Sequence, residues 1–336
     1  MKNLLRAGVL LLVLALAVPS IVMAGGAKEK AADKKIEVSI ALHLDPGHPV
    51  FKIGERLKET LPKMSNGKIV TKILGLEVGG ERDQVEGCSN GEYTIALGGN
   101  VPLTLYAPQF AAPDLPFVYP DTMSSRKLYQ GDLGKLMNDE LIRKGNMRLV
   151  GLTYRPARLL TANRPVRTPD DLRGLKLRVP QVATYVKLWN GLGALTSPIA
   201  WTEVYTSLQT GVIEAQENPV DILWNSRIYE VQKYLIETAH VYSFFHWLMN
   251  EKFYASLSEA DRKTILDAVA EVTKWGDDYI MGLESDFYKK LTTEGKMQAI
   301  KPDMAAFKAK ALPIIQEVVK EYHPEQAKYV LSFFGK

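Results

Sequence analysis

Two hydrophobic periods take turns along the chain. In "KIEVSIALHL" (Lys35 to Leu44) apolar and polar residues alternate and branched side chains are frequent, which predicts a first strand. "DPGHP" turns the chain, and "VFKIGERLKETLPKM" then places its apolar residues at helical spacing. "GKIVTKILGL" predicts a second strand, and "RDQVEGCSNGEYTIAL" a short helix, a glycine-containing turn and a third strand. Alternation of this kind predicts an α/β lobe with a largely parallel sheet.

The pattern restarts further on. "MRLVGLTY" and "RLLTA" predict strands. "TPDDLRG" predicts a short helix with marked ends: Thr168 as N-cap, Pro169 at the first position, Asp171 three after the cap and Gly174 at the close. "LKLRV" predicts a strand, Ala183 to Leu192 a helix, and "WTEVYTSLQTG" a helix that Gly211 stops. "HVYSFFHWLMN" predicts one further strand. These elements make a second α/β lobe, with no sequence repeat between the two. From Ser258 to Gly295 the chain has no proline. Ser258 caps it, Asp261 stands at the capping-box position, and Gly295 can terminate it. About 36 helical residues extend about 50 Å, more than the roughly 30 Å of a small domain. Gly276 and Gly282 allow a bend. If continuous, this helix crosses both lobes and braces them.

The first residues follow another rule. Lys2 and Arg6 precede the apolar run "AGVLLLVLALAV", and Val22 and Ala24 form a small-x-small end. This predicts a secretory signal peptide over residues 1–24, cleaved after Ala24, and a periplasmic protein. The run is short for a membrane span, and "GGAKEKAADKK" (residues 25–35) predicts a flexible leader. The chain of 336 residues is 46% hydrophobic and 24% charged, ordinary for globular domains and enough for two. Its net charge is +4; without Lys2 and Arg6, 40 basic residues face 38 acidic, or +2. Neither that balance nor any basic run points to nucleic acid. Cys88 is the one cysteine, so neither an intrachain disulfide nor a cysteine metal site is expected.

The sequence carries no dinucleotide fingerprint, Walker loop or nucleophile elbow, so no cofactor is expected. "HLDPGH" brings His43, Asp45 and His48 together on a turn rather than on one helical face, which reads as structure before metal. His240 and His246 read as packing or cleft-lining groups. Within "LKLRVP", Leu175, Leu177 and Val179 alternate with Lys176 and Arg178. Either both cations face water, or Arg178 points into a cleft and receives an anion.

Several stretches together decide between those readings. "TANRPVRTPDDLRGLKLRVP", "LGALTSPIAWTEVYTSLQTGVIEAQENP" and "YEVQKYL" resemble the DctP-type solute-binding proteins of tripartite ATP-independent periplasmic (TRAP) transporters. "GGERDQVEG", "DLPFVY" and "LMNEKFYASLS" extend the resemblance over nearly all of the mature chain. Glu214-Ala215 departs from the Asp-Gly common in that family. The resemblance implies that Arg178 pairs with a substrate carboxylate, that Arg158 and Asn218 contact it as well, and that Trp201 stacks on the substrate. A guanidinium fork meets both carboxylate oxygens at once, which lysine cannot do. In the first lobe, His43 after the first strand and Asn100 after the third stand where α/β sheets bind ligands. Arg82 is a further candidate. Phe244 and Trp247 either line the cleft, where the chain crosses back to the first lobe, or fill the core.

The expected architecture is α/β: a two-lobed periplasmic binding protein clamp with a long helix spanning both lobes. Residues 36–155 with about 244–283 form the first lobe, and 156–243 with about 284–336 the second. The expected function is capture of a small carboxylate ligand, a sugar acid, dicarboxylate or related organic acid, and its delivery to TRAP-type membrane permease subunits, without catalysis. Two alternatives stay open: a secreted enzyme acting on carboxylated sugars, and a binding module serving a sensor or another transporter.

Overall fold

The computed structural model describes residues 35–99 and 101–335. The expected signal peptide, all of the leader except Lys35, and Asn100 lie outside the described residues. Among the described residues eleven strands form two sheets. The first has the order β2-β1-β3-β10-β4, from β1 (Ile36–Ala41), β2 (Ile69–Leu74), β3 (Ile95–Gly98), β4 (Met147–Tyr154) and β10 (Phe244–Asn250). The second has the order β11-β9-β5-β8-β6-β7. Its strands are β5 (Arg158–Ala162), β6 (Lys176–Val179), β7 (Leu195–Pro198), β8 (Ala215–Asn218), β9 (Tyr234–Val241) and β11 (Gln298–Ile300).

Each sheet contains one strand that runs against the others. β10 is antiparallel to both β3 and β4, and β5 is antiparallel to both β8 and β9. These are the strands that follow the two short crossings between sheets, at residues 155–157 and 242–243. The remaining strands run parallel, so their carboxyl ends, with the starts of β5 and β10, gather along one seam. At such ends α/β sheets present their ligand-binding loops.

The expectation of one strand through "HVYSFFHWLMN" is corrected here. The chain breaks after Val241, leaves the second sheet and enters the first at Phe244, so His240 and His246 belong to different sheets. Phe244 to Asn250 are all buried, and such a continuous apolar run carries no period that marks a change of sheet. The short helix at "TPDDLRG" is a single 3-10 turn, Pro169–Leu172. The Asp171 carboxylate accepts the Arg167 and Thr168 N–H groups at 2.8 and 2.9 Å, and Gly174 closes it at φ +70°.

The helix Glu259–Thr293 runs unbroken for 35 residues, about 52 Å. The Ser258 hydroxyl accepts the Asp261 N–H at 3.1 Å. Near its start Ile265, Val269 and Val272 pack into the core of β1 and the helix Pro49–Met64; near its end Leu291 joins Leu208, Ile228 and Leu235 around the second sheet. Tyr154 and Tyr288 donate hydroxyl hydrogen bonds that tie β4 to Glu284 on the helix and the helix to Glu237 on β9. Gly276 marks a close approach rather than a bend, since a Cβ there would meet Ile53 at 3.0 Å and Thr153 at 3.1 Å. Gly282 has open space around it. Phe117 links the segment before residue 120 to the second sheet. Its N–H donates to the His240 carbonyl at 2.6 Å, and its ring packs on Trp189, His240 and Phe307.

These two glycines give opposite predictions. Gly276→Val forces the helix off Ile53 and destabilises the protein by about 1–3 kcal/mol in urea melts. Gly282→Ala stabilises it by about 0.5–1 kcal/mol. Equal effects at both positions would contradict the packing described.

Candidate functional site

The seam between the sheets holds a small cavity lined by His43, Leu44, Glu81, Arg155, Arg158, Arg178, Pro180, Trp201, Asn218 and Ile222. Strand ends explain this meeting. His43 follows β1, Arg155 follows β4, Arg158 opens β5, Arg178 lies near the end of β6 and Asn218 ends β8. The cavity is continued outward by a groove that shares Glu81, Arg178, Pro180 and Trp201 with it and has Arg82 on its edge.

Arg158 and Glu217 form a fully buried ion pair at the floor. Arg158 donates from Nε and Nη2 to the two carboxylate oxygens, the latter bond 2.7 Å long. His240 Nε2 lies 2.9 Å from the same carboxylate, and Thr238 Oγ1 2.7 Å from His240 Nδ1. An ionised carboxylate only accepts, so His240 carries its proton on Nε2 and accepts from Thr238. Burial alone would push the Glu217 carboxyl up. The Arg158 charge and the hydrogen bonds from Arg158 and His240 outweigh it, and the pKa falls to about 2. Among the described residues, Nη1 of Arg158 has no protein hydrogen bond.

Arg178 is 4% exposed and differently placed. Its Nε donates to the Ile199 carbonyl at 2.9 Å, and its guanidinium lies 5.5 Å from the Trp201 ring centre. Among the described residues its two terminal nitrogens have no protein acceptor. Desolvation, aided by Arg158 and Arg155, lowers its pKa to about 9, so it remains a cation at neutral pH without a direct counter-ion. Asn218 donates from Nδ2 to Gln216 Oε1 at 2.8 Å, which leaves its second amide hydrogen toward the cavity. A buried, uncommitted guanidinium fork with an amide donor nearby is a receptor for a carboxylate.

The facing wall comes from the first sheet. Gln84 Nε2 donates to the backbone carbonyls of Ala41 and Leu97, which fixes the orientation of the side-chain amide. Its Oε1 therefore accepts from His43 Nδ1 at 2.7 Å. Burial lowers the His43 pKa and keeps the ring neutral, so Nε2 is an unprotonated acceptor. Glu81 Oε2 lies 3.8 Å from that nitrogen, while Oε1 accepts the Val101 N–H at 3.1 Å. Glu81 is held below its usual carboxylate range: burial pushes it up, and the Arg155 charge and the Val101 N–H help to offset this. Arg155 is buried between Arg158 on one side and Glu81 and Asp221 on the other, its guanidinium over the Phe245 ring. Asp221 Oδ2 also lies 3.1 Å from His48 Nε2.

Arg158, Arg178, Asn218, Trp201 and His43 thus line one cavity. Trp247 does not join them, and its place in the candidate set is corrected. It is fully buried on the opposite face of β10, in the core with Ile40 and Val269, and its Nε1 donates to Thr153 at 2.9 Å. Arg82 stands at the outer rim with a half-exposed side chain paired to Glu86. Phe244 is core, against Tyr129 and Arg126. Sequence reasoning did not single out Glu81, Gln84, Arg155 or Glu217. For Glu81 the neighbouring Arg82 in "GGERD" was the available signal, and for Glu217 its position just before Asn218. Among the described residues no group of His, Cys, Asp and Glu is arranged to hold a metal ion.

Comparison with known proteins concerns the chain as a whole. Residues 40–322 match the model of the bacterial extracellular solute-binding proteins, family 7. A solute-binding protein of Roseobacter denitrificans is 32% identical over 268 residues, 79% of this chain and 82% of the relative. The sialic acid-binding periplasmic protein of Vibrio cholerae is 29% identical over 284 residues, 83% of this chain and 87% of that one. The crystal structure of a TRAP periplasmic solute-binding protein from Roseobacter denitrificans with bound L-galactonate superposes with a TM-score of 0.83 at 29% identity. The match covers 90% of this chain and 99% of the other.

The buried pair at the floor fixes an acid response. The folded pKa of Glu217 lies below its ordinary 4.5. Its contribution to stability is therefore present above pH about 4.5 and lost as pH falls through about 2. Glu217→Gln leaves Arg158 buried and unpaired and costs about 3–5 kcal/mol at pH 7. Urea melts between pH 7 and 2.5 should show the parent losing stability on acidification more steeply than the variant. Parallel pH profiles would remove the ion pair from the account.

Proposed function

This chain belongs to the bacterial extracellular solute-binding proteins of family 7, and on that premise we propose that it is periplasmic, captures a small organic acid in the seam and hands it to a TRAP-type membrane permease. The observation that carries the reading is Arg178, a buried cation whose terminal nitrogens are uncommitted. Its fork takes both oxygens of the ligand carboxylate, Asn218 adds an amide hydrogen bond, and Arg158 presents Nη1. Trp201 flattens Arg178 from behind and screens the pair from water, which strengthens it.

Division of labour between the two arginines follows from their partners. Arg158 is already neutralised by Glu217, so it offers a directed donor and little net charge. Arg178 offers charge. The lobes, divided as the sequence suggests, close by bending at residues 155–157 and 242–243, while the helix Glu259–Thr293 holds them in line. Closure brings the first-sheet wall of His43 and Glu81 against a ligand held by Arg178. The relatives are binding proteins by name, which supports a role without catalysis.

Arg178→Met should lower affinity for the captured acid by about two to four orders of magnitude, since removing one partner of a buried charge pair costs about 3–5 kcal/mol. Arg178→Lys retains a charge without the fork and should fall between. The ligand-free Met variant should melt no lower than the parent, because an uncompensated buried cation has been removed. In thermal shift, a ligand at 100 times its Kd adds about 2.7 kcal/mol to the parent and nothing measurable to the variant. Full binding by Arg178→Met would overturn the site. The ligand recovered after long incubation should be chemically unchanged by NMR; turnover would favour the enzyme reading instead.

A further inference from the structure

We propose that the first-sheet wall makes this protein selective for hydroxylated monocarboxylic acids, and that His43 and Glu81 exclude dicarboxylates and unhydroxylated acids of the same length. The inference rests on the reading of Arg178 as the carboxylate receptor, and it concerns the other end of the ligand.

Geometry of the donors decides it. The orientation of the Gln84 amide is set by two backbone carbonyls, which can only accept. That orientation makes His43 Nδ1 the donor, and the ring, kept neutral by burial, then carries its lone pair on Nε2. Across 3.8 Å stands Glu81 Oε2, also an acceptor. Two acceptors that face one cavity, His43 buried and Glu81 partly so, call for a donor between them. A ligand hydroxyl supplies one, and two adjacent hydroxyls serve both atoms while their own oxygens accept from Arg155 or Arg158 nearby. A methylene chain leaves both acceptors unsatisfied. A second carboxylate brings more acceptors and places a negative charge against Glu81.

The charges point the same way. Three arginines, Arg155, Arg158 and Arg178, line the cavity. Glu217 is bonded to Arg158, and Glu81 and Asp221 both bear on Arg155. Only Arg178 has no carboxylate on its guanidinium, so one ligand carboxylate completes the set and a second has no unshared cation to meet.

The test uses the intact protein and two panels of acids of four to seven carbons, titrated by calorimetry. One panel holds aldonates and uronates, including galactonate and galacturonate; the other holds succinate, adipate, butanoate and hexanoate. At least one hydroxylated acid should bind about 100-fold or more tightly than every member of the second panel, because a site built to hydrogen-bond a hydroxyl rejects analogues that lack it. Glu81→Gln adds an amide donor and removes the repulsion, and His43→Phe removes the acceptor while keeping a planar ring. Both variants, checked for folding by melting temperature, should narrow that ratio at least tenfold, Glu81→Gln chiefly by gaining succinate or adipate. A second-panel acid within tenfold of the best hydroxylated acid overturns this inference and leaves Arg178 as receptor. So does a ratio unchanged in both folded variants. Binding of no acid in either panel overturns the Arg178 reading itself, and this inference with it.

Discussion

The buried contact between Arg158 and Glu217 is the constraint on which the cleft depends. It joins the first residue of β5 to the next-to-last of β8, and through His240 it reaches β9. Three strands of the second sheet are thereby locked at the edge where they meet the first. Taking two charges out of water is expensive, and their attraction repays it only when every remaining donor and acceptor is matched. Here the carboxylate is matched by Arg158 and His240, and His240 by Thr238. The consequence for function is indirect. Because Glu217 is consumed by Arg158, it does not neutralise Arg178, and the cleft keeps one cation for its ligand.

Much of this was legible in the residues. Period-two alternation located β1, and "MRLVGLTY" and "RLLTA" coincide with β4 and β5. The helix Ala183–Leu192 begins and ends as read, and Ser258 caps the long helix. These are local signals, set by neighbouring residues. What was not legible is long-range. Nothing near "FFHWLMN" says that the strand has changed sheets, and nothing near Trp247 says that its face of β10 meets Thr153 rather than the cleft. The same distinction governs the site. Arg178 and Asn218 lie in stretches whose resemblance is specific, whereas the His43, Gln84 and Glu81 relay depends on side chains 41 residues apart in the chain. A single sequence does not rank scattered carboxylates, and so Glu81 was passed over for Arg82.

Rigidity and freedom are distributed unevenly around the seam. The long helix is buried against both sheets and crosses them without a break, so it resists shear between them. The two crossings at residues 155–157 and 242–243 are short and contain Arg155 and, in their flanks, Arg158 and His240. Residues that hold the cleft together therefore sit on the segments that bend in the proposed closure. Phe117, with a backbone φ of +65°, leans on the same region through its bond to His240. A residue of that size in left-handed conformation is strained and persists only where its surroundings fix it.

The reversed strand β10 has a consequence for how the molecule is made. It lies between β3 and β4, so the first sheet has a gap in its middle until the segment ending at Asn250 arrives. Of the strands that flank the gap, β4 ends 90 residues before Phe244 and β3 ends 146 residues before it. An emerging polypeptide therefore has no finished sheet to fold around until three quarters of it exists, and a nascent chain cut short before that point has two open edges instead of a core. The first sheet is thus closed late, by a segment that follows most of the strands of the second.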